Sequence, residues 1–143
     1  MSDLSRFLSA QEYDYETALA EIRNGRKCSC WMWYVFPQIQ GLGTSSMSRY
    51  YAIKDLQEAV DYINHEILGK RLVEITEALL KLESNDALAV MGWPDDMKLK
   101  SSMTLFSYAA PEMTIFREVL EKFFDGEECQ GTKERIDVRG IDE

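Results

Sequence analysis

The residues of this chain that could do chemistry fall in two short segments, and the first joins aromatic rings to a glycine-rich turn. Trp33 and Phe36 are followed closely by Gln38, Gly41 and Gly43. Aromatic side chains beside exposed backbone are typical of small-molecule pockets. The segment predicts a site in which the two rings stack on a planar group, Gln38 reads a polar edge, and the glycines let backbone approach the ligand.

Positive charge near this segment is local. Arg49 follows the glycines, and Arg23, Arg26 and Lys27 precede the aromatic stretch. This suits one small anion rather than a charged polymer, and we expect Arg49 to bind it. Two alternatives stay open at this point. Arg49 could pair with a carboxylate such as Glu58, and the glycine turn, which resembles a phosphate cradle only weakly, could be a simple tight turn.

The second segment runs over residues 94–106 and carries a polar stripe. On a helix, Lys98, Ser101 and Ser102 share one side, with Thr104 nearby. Clustered Ser and Thr lower helix propensity, which a purely solvated face would not need. We therefore predict that these side chains hold the charged part of a ligand. The alternative is a capped helix whose hydroxyls bond back to carbonyls.

Proton transfer is assigned to Asp96, because Asp95 and Asp96 are the only paired carboxylates beside this region. His65, the single His, is expected in an exposed linker, so no Ser-His-Asp set can be assembled. The three Cys do not have zinc-ligand spacing, and we expect no metal and no cofactor. Both an enzymatic and a purely binding role remain open.

The charge balance limits the class of partner. The net charge is −9, and residues 72–143 hold eight Lys and Arg against sixteen Asp and Glu. Proteins that bind a phosphate backbone show the opposite excess, so nucleic acid and anionic membranes are disfavoured. The leading hypothesis is a pocket for a small anionic or nucleotide-like ligand, such as an ADP-ribose derivative. The alternatives are a non-enzymatic module whose acidic second half docks a basic partner, and a homo-oligomer.

The elements that must position these residues are helical. The length of 143 residues suits one domain, no apolar run approaches membrane-spanning length, and the N-terminus does not resemble a signal peptide, so a cytoplasmic protein is expected. Apolar residues recur with helical spacing, most clearly over Ile67–Leu82. Asp14, Asp55 and Asp86 can each cap a helix that starts after them, and the aromatic stretch is predicted to form a further short helix. We predict an all-α, compact single multihelical domain of about six to eight helices over residues 1–126. Residues 127–143 are predicted to be an acidic, partly disordered tail.

Five blocks of the sequence resemble a known family. They are Trp31–Gln38, Gly41–Gly43, Arg49–Ile53, Leu68–Leu72 and Asp95–Phe106, and the match runs in order from about Leu4 to Thr132. Together they resemble the signature blocks of the domain of unknown function 1810 family. The resemblance implies a compact, mainly α-helical, Rv1873-like domain. It implies no particular activity.

Overall fold

A computed structural model of the chain describes residues 2–141. Within this range the backbone is all-α, as predicted, and its one β-type contact is an isolated parallel bridge between Ile39 and Ile53. The helices are α1 (Ser5–Arg23), α2 (Met32–Val35), α3 (Ser46–Tyr50), α4 (Leu56–Asn64), α5 (Glu66–Leu80), α6 (Ala87–Met91), α7 (Asp95–Ala109), α8 (Ile115–Phe124) and α9 (Gln130–Ile141).

Helix α7 lies at the centre of the fold. It packs against α4, α6, α8 and α9, so every residue from Ser101 to Ser107 is buried. Its hydroxyls bond within the helix: the Thr104 hydroxyl donates to the Lys100 carbonyl at 2.8 Å, and the Ser107 hydroxyl donates to the Thr104 carbonyl at 2.7 Å. Small residues here let four neighbours approach closely. The serine and threonine residues of the predicted polar stripe are therefore interior and not ligand-facing.

The aromatic stretch is buried, as its apolar bulk requires. Trp31, Tyr34 and Phe36 all lie in the core, and the short helix predicted here is α2, which packs against α1. The Trp31 indole N–H donates to the Glu21 carboxylate at 2.9 Å. This contact ties the entry of α2 to the last turns of α1 and fixes where the aromatic stretch begins.

Several helices begin directly after a residue whose side chain caps them. Asp55 accepts the Glu58 amide at 2.9 Å and Asp86 accepts the Ala89 amide at 3.1 Å, and both capping roles were predicted. The prediction of a break at Asp14 was wrong, because α1 runs through it without interruption. The exposed linker predicted around His65 is also corrected. His65 is half-buried, and its Nδ1 accepts amides of the first turn of α5.

Close contact between α4 and α5 depends on Gly69. A Cβ atom at this position would lie 2.0 Å from the carbonyl oxygen of Ile63 at the end of α4. No side chain fits at that distance. The glycine therefore lets the two helices fold back on each other across the single residue His65 that joins them.

The segment for which the sequence predicts a partly disordered tail contains helix α9. Its buried residues Thr132 and Ile136 face the interior, and the helix packs against α7. The division of the chain at residue 126 stays a prediction. Among the residues that the structure describes, no helix has both the length and the apolarity needed to cross a membrane.

Candidate functional site

A cavity of about 420 Å³ opens where the loop after α2 meets α3 and the segment that follows it. Its apolar wall includes the rings of Trp33 and Tyr51 and the side chain of Ile39. Its polar rim comes mainly from the loop and from α3. The lining residues that the sequence had singled out as ligand-binding are Trp33, Gln38, Gly41, Gly43 and Arg49.

The wall is assembled by the isolated β-bridge. The Gln40 amide donates to the Ile53 carbonyl and the Ile53 amide donates to the Gln38 carbonyl, both at 2.8 Å. These two bonds hold residues 38–40 beside residues 51–53. Tyr51 and Ala52 thereby join the wall, although nothing in the linear pattern marks them as partners of Trp33.

The Arg6 side chain supports the same wall through hydrogen bonds to its backbone. Its guanidinium donates to the carbonyls of Tyr50 and Ala52, each at 2.8 Å, and pairs with Glu58 at 3.1 Å. Glu58 is thus paired with Arg6, so the alternative in which it pairs with Arg49 is corrected. Two bonds from one planar group therefore hold the wall segment, which limits its freedom to move.

The rim is held by a residue of α9. Arg135 donates to the Gly41 carbonyl at 2.9 Å and to the Gly131 carbonyl at 3.0 Å. Gly41 has a φ of +101°, and a Cβ there would lie 2.6 Å from the Arg135 Nε. A side chain at position 41 would therefore both strain the backbone and displace the guanidinium. Arg135 is a supporting residue of the site that sequence reasoning missed.

Two polar groups of the cavity have no partner among the residues that the structure describes. The guanidinium of the exposed Arg49 makes no hydrogen bond or ion pair there, and the buried Trp33 Nε1 donates to nothing. Lys98 lies over the Trp33 ring, with Nζ 5.2 Å from the centroid, and also contacts Asp95 at 3.7 Å. The second segment thus reaches the aromatic wall through Lys98.

The other predicted site residues lie elsewhere. Phe36 is fully buried in the core. Ser101, Ser102 and Thr104 are enclosed around α7, where Ser101 donates to the Cys129 sulfur at 3.2 Å and Thr104 accepts the Cys129 amide at 2.9 Å. These placements follow from the central position of α7, which leaves its hydroxyls no route to the cavity.

Asp96 is also separate from the cavity. It lies in the first turn of α7 and lines a different groove, together with residues of α6 and α8. The structure therefore does not bring the predicted proton-transfer group to the aromatic wall.

The described lining of the cavity carries positive rather than negative charge. Burial, with a smaller contribution from Tyr50, raises the pKa of Tyr51, so this phenol stays neutral and can donate a hydrogen bond at neutral pH. The described residues that line the cavity include no carboxylate and no imidazole. Arg49 is the only residue with a formal charge at pH 7 among the described residues that line the cavity.

Comparison with known proteins places this arrangement in a shared fold. Residues 1–136 match the family described as "Protein of unknown function (DUF1810)". The crystal structure of the conserved hypothetical protein Rv1873 from Mycobacterium tuberculosis is similar with a TM-score of 0.93 and 41% sequence identity, covering 95% of this chain and 97% of that one. No curated protein matches the chain.

Proposed function

The chain belongs to the DUF1810 family of proteins of unknown function, and from that premise we propose that its cavity binds a small anionic, nucleotide-like molecule. The observation that carries the proposal is Arg49, a cation with no partner among the described residues, which lines a cavity with two aromatic rings. The ligand class is a planar group joined to a phosphate or carboxylate, which includes mononucleotides and ADP-ribose derivatives.

The aromatic wall supports the planar part of the ligand. Trp33 and Tyr51 line the cavity, and a planar ring stacked on an indole gains both apolar burial and favourable ring geometry. The Trp33 indole N–H has no partner within the described chain, but this atom is buried, so the ligand is expected to contact the ring and not this donor.

The rim supports the anionic part. The guanidinium of Arg49 can grip two oxygens of a phosphate or carboxylate at once. Ser48, Gln38 and Gln40 line the cavity and add neutral polar groups. A volume of about 420 Å³ falls within the usual range for small-molecule sites, which runs from roughly 300 to 1,000 Å³.

The test is calorimetry and thermal shift with four compounds: AMP, ADP-ribose, adenosine and inorganic phosphate. We expect measurable binding of at least one of the first two, and binding at least about tenfold weaker for adenosine and phosphate, because each offers only half of the recognised chemistry. Arg49→Gln should weaken binding of the phosphate-bearing compound by about tenfold or more, which is the usual worth of a charge-assisted contact.

Arg26→Gln is the matched control, since Arg26 is also exposed and lies outside the cavity. It removes the same charge and should leave affinity unchanged. If all four compounds fail to bind, or if both variants weaken binding equally, the cavity is not a site for this class of ligand.

A further inference from the structure

A second groove of about 690 Å³ lies between the start of α7, the short helix α6 and the end of α8. Apolar side chains stand exposed along it. Leu88 is 55% exposed and Met97 is 51% exposed, and the partly buried Phe124 also lines the groove. Trp93, on the turn that joins α6 to α7, is 78% exposed. Large apolar residues grouped at one surface mark interaction sites.

The groove has acidic side chains that are not paired with its own lysines. Both of its lysines are engaged: Lys100 pairs with Glu127 at 3.1 Å, and Lys122 donates to carbonyl oxygens of Leu80 and Leu82. Asp86, Asp96 and Asp125 also line the groove. None of these three aspartates has a cationic partner among the residues that the structure describes.

The carboxylate of Asp96 is not fully satisfied within the described chain. Its Oδ1 atom is buried and has no hydrogen-bond partner in the described part of the chain. A buried carboxylate oxygen without a donor is costly, and a positive charge beside it offsets part of that cost. A lysine or arginine side chain entering the groove would place such a charge next to Asp96, which lines the groove.

We propose that this groove docks a basic peptide segment of another protein, in which lysine or arginine side chains alternate with apolar ones. Leu88, Met97 and Phe124 take the apolar side chains, and the three aspartates, which have no cationic partner in the described part of the chain, take the cations. Charge complementarity selects this occupant over a second copy of the chain. Two copies joined face to face would bring like-charged acidic surfaces together, and each chain already carries a net charge of −9.

The experiment measures fluorescence anisotropy with three labelled nine-residue peptides. The first alternates lysine and leucine, the second has glycine in place of leucine, and the third has glutamate in place of lysine. We expect the first to bind, the second to bind at least about tenfold more weakly because the apolar contacts are missing, and the third not to bind. Affinity for the first should fall as salt concentration rises.

Two substitutions locate the binding. Leu88→Ser should weaken binding of the lysine–leucine peptide about fivefold, since half of this side chain is available to be covered. Asp96→Asn should weaken it about threefold and reduce the dependence on salt. Tyr13→Ser is the control, because Tyr13 is 83% exposed on α1, which does not line the groove. Thermal melts of all three variants verify that the fold is kept.

Three results would overturn the proposal. Equal affinity for the lysine–leucine and lysine–glycine peptides would show that the binding is only nonspecific electrostatic attraction to an acidic protein. An equal loss in Tyr13→Ser and Leu88→Ser would place the contact elsewhere. A dimer in light scattering that Leu88→Ser converts to a monomer would make a second copy the occupant. None of these results depends on the cavity beside Trp33, so the two proposals succeed or fail separately.

Discussion

Replacing Arg6 by Ala should loosen the wall of the cavity and destabilise the whole domain. The substitution removes two bonds to the carbonyls of Tyr50 and Ala52 and the ion pair with Glu58. Glu58, which is 5% exposed, would keep only backbone donors, among them the Lys54 amide at 2.9 Å. The loss therefore combines broken bonds with a buried carboxylate that has lost its cation.

The magnitude follows from these contacts. Removing one partner of a buried pair costs about 3–5 kcal/mol, and a hydrogen bond to a charged group contributes about 1.5–3 kcal/mol. The Arg6 side chain is partly exposed, so the lower end applies. We expect a loss of about 3 kcal/mol in the free energy of unfolding, or a fall in Tm of roughly 6–12 °C. Arg6→Lys keeps the charge but not the planar fork, and should cost about half as much.

Urea denaturation followed by circular dichroism measures this loss, and a double-mutant cycle with Glu58→Gln isolates the ion pair. The coupling between the two substitutions should be about 1–2 kcal/mol. Hydrogen exchange should also speed up at the Ile53 amide, which belongs to the β-bridge. Arg26→Ala, at an exposed arginine, should cost less than about 0.5 kcal/mol. A loss below about 1 kcal/mol for Arg6→Ala, or no coupling with Glu58, would refute the bracing role.

The remaining predictions concern stability and the rim. Gly69→Ala should destabilise the fold by about 2 kcal/mol or more in urea denaturation, because its Cβ would overlap a backbone carbonyl at the end of α4; a neutral result would mean that the two helices separate freely. Partial burial raises the pKa of Glu21, but hydrogen bonds from Ser29, the Cys28 amide and the Trp31 indole outweigh it and lower the pKa to about 2. Its stabilising contribution should be complete above about pH 4.5 and fade as pH falls towards 2, so the stability gap between wild type and Glu21→Gln should narrow over that range; a constant gap would contradict this. Arg135→Ala should accelerate exchange of rim-loop amides with little change in Tm, and unchanged exchange would remove its role as a support.

Local signals in the sequence predicted much of the helical framework. Asp55 and Asp86 mark helix starts because capping involves neighbours three residues away. The single helix α1 was predicted as two because Asp14 looks like a cap. In the fold its carboxylate instead accepts the hydroxyl of Tyr34. A capping residue in mid-helix is ambiguous until its tertiary partner is known.

The same limit governs the candidate site. Trp33, Gln38, Gly41, Gly43 and Arg49 line one cavity, and all belong to one contiguous stretch of sequence. The residues that brace this cavity are distant in sequence, so nothing in the local pattern identifies them. Arg6 lies 46 positions from the Ala52 carbonyl that it binds, and Arg135 lies 94 positions from Gly41.

The hydroxyls of α7 show why composition alone misassigned a site. Ser and Thr clustered on a helix indicate that something other than helix propensity favours them. The selecting factor is close packing by four neighbouring helices, with Thr104 and Ser107 bonding to carbonyls of their own helix. A ligand and a neighbouring helix both favour small polar residues. A ligand-binding surface is open to solvent, whereas a helix-packing surface is not. In this chain the second segment reaches the cavity only where Lys98, near the start of α7, lies over Trp33. The first turn of α7 is therefore the part of this helix that reaches both candidate surfaces, with Lys98 over the Trp33 ring and Asp96 lining the groove beside α6 and α8.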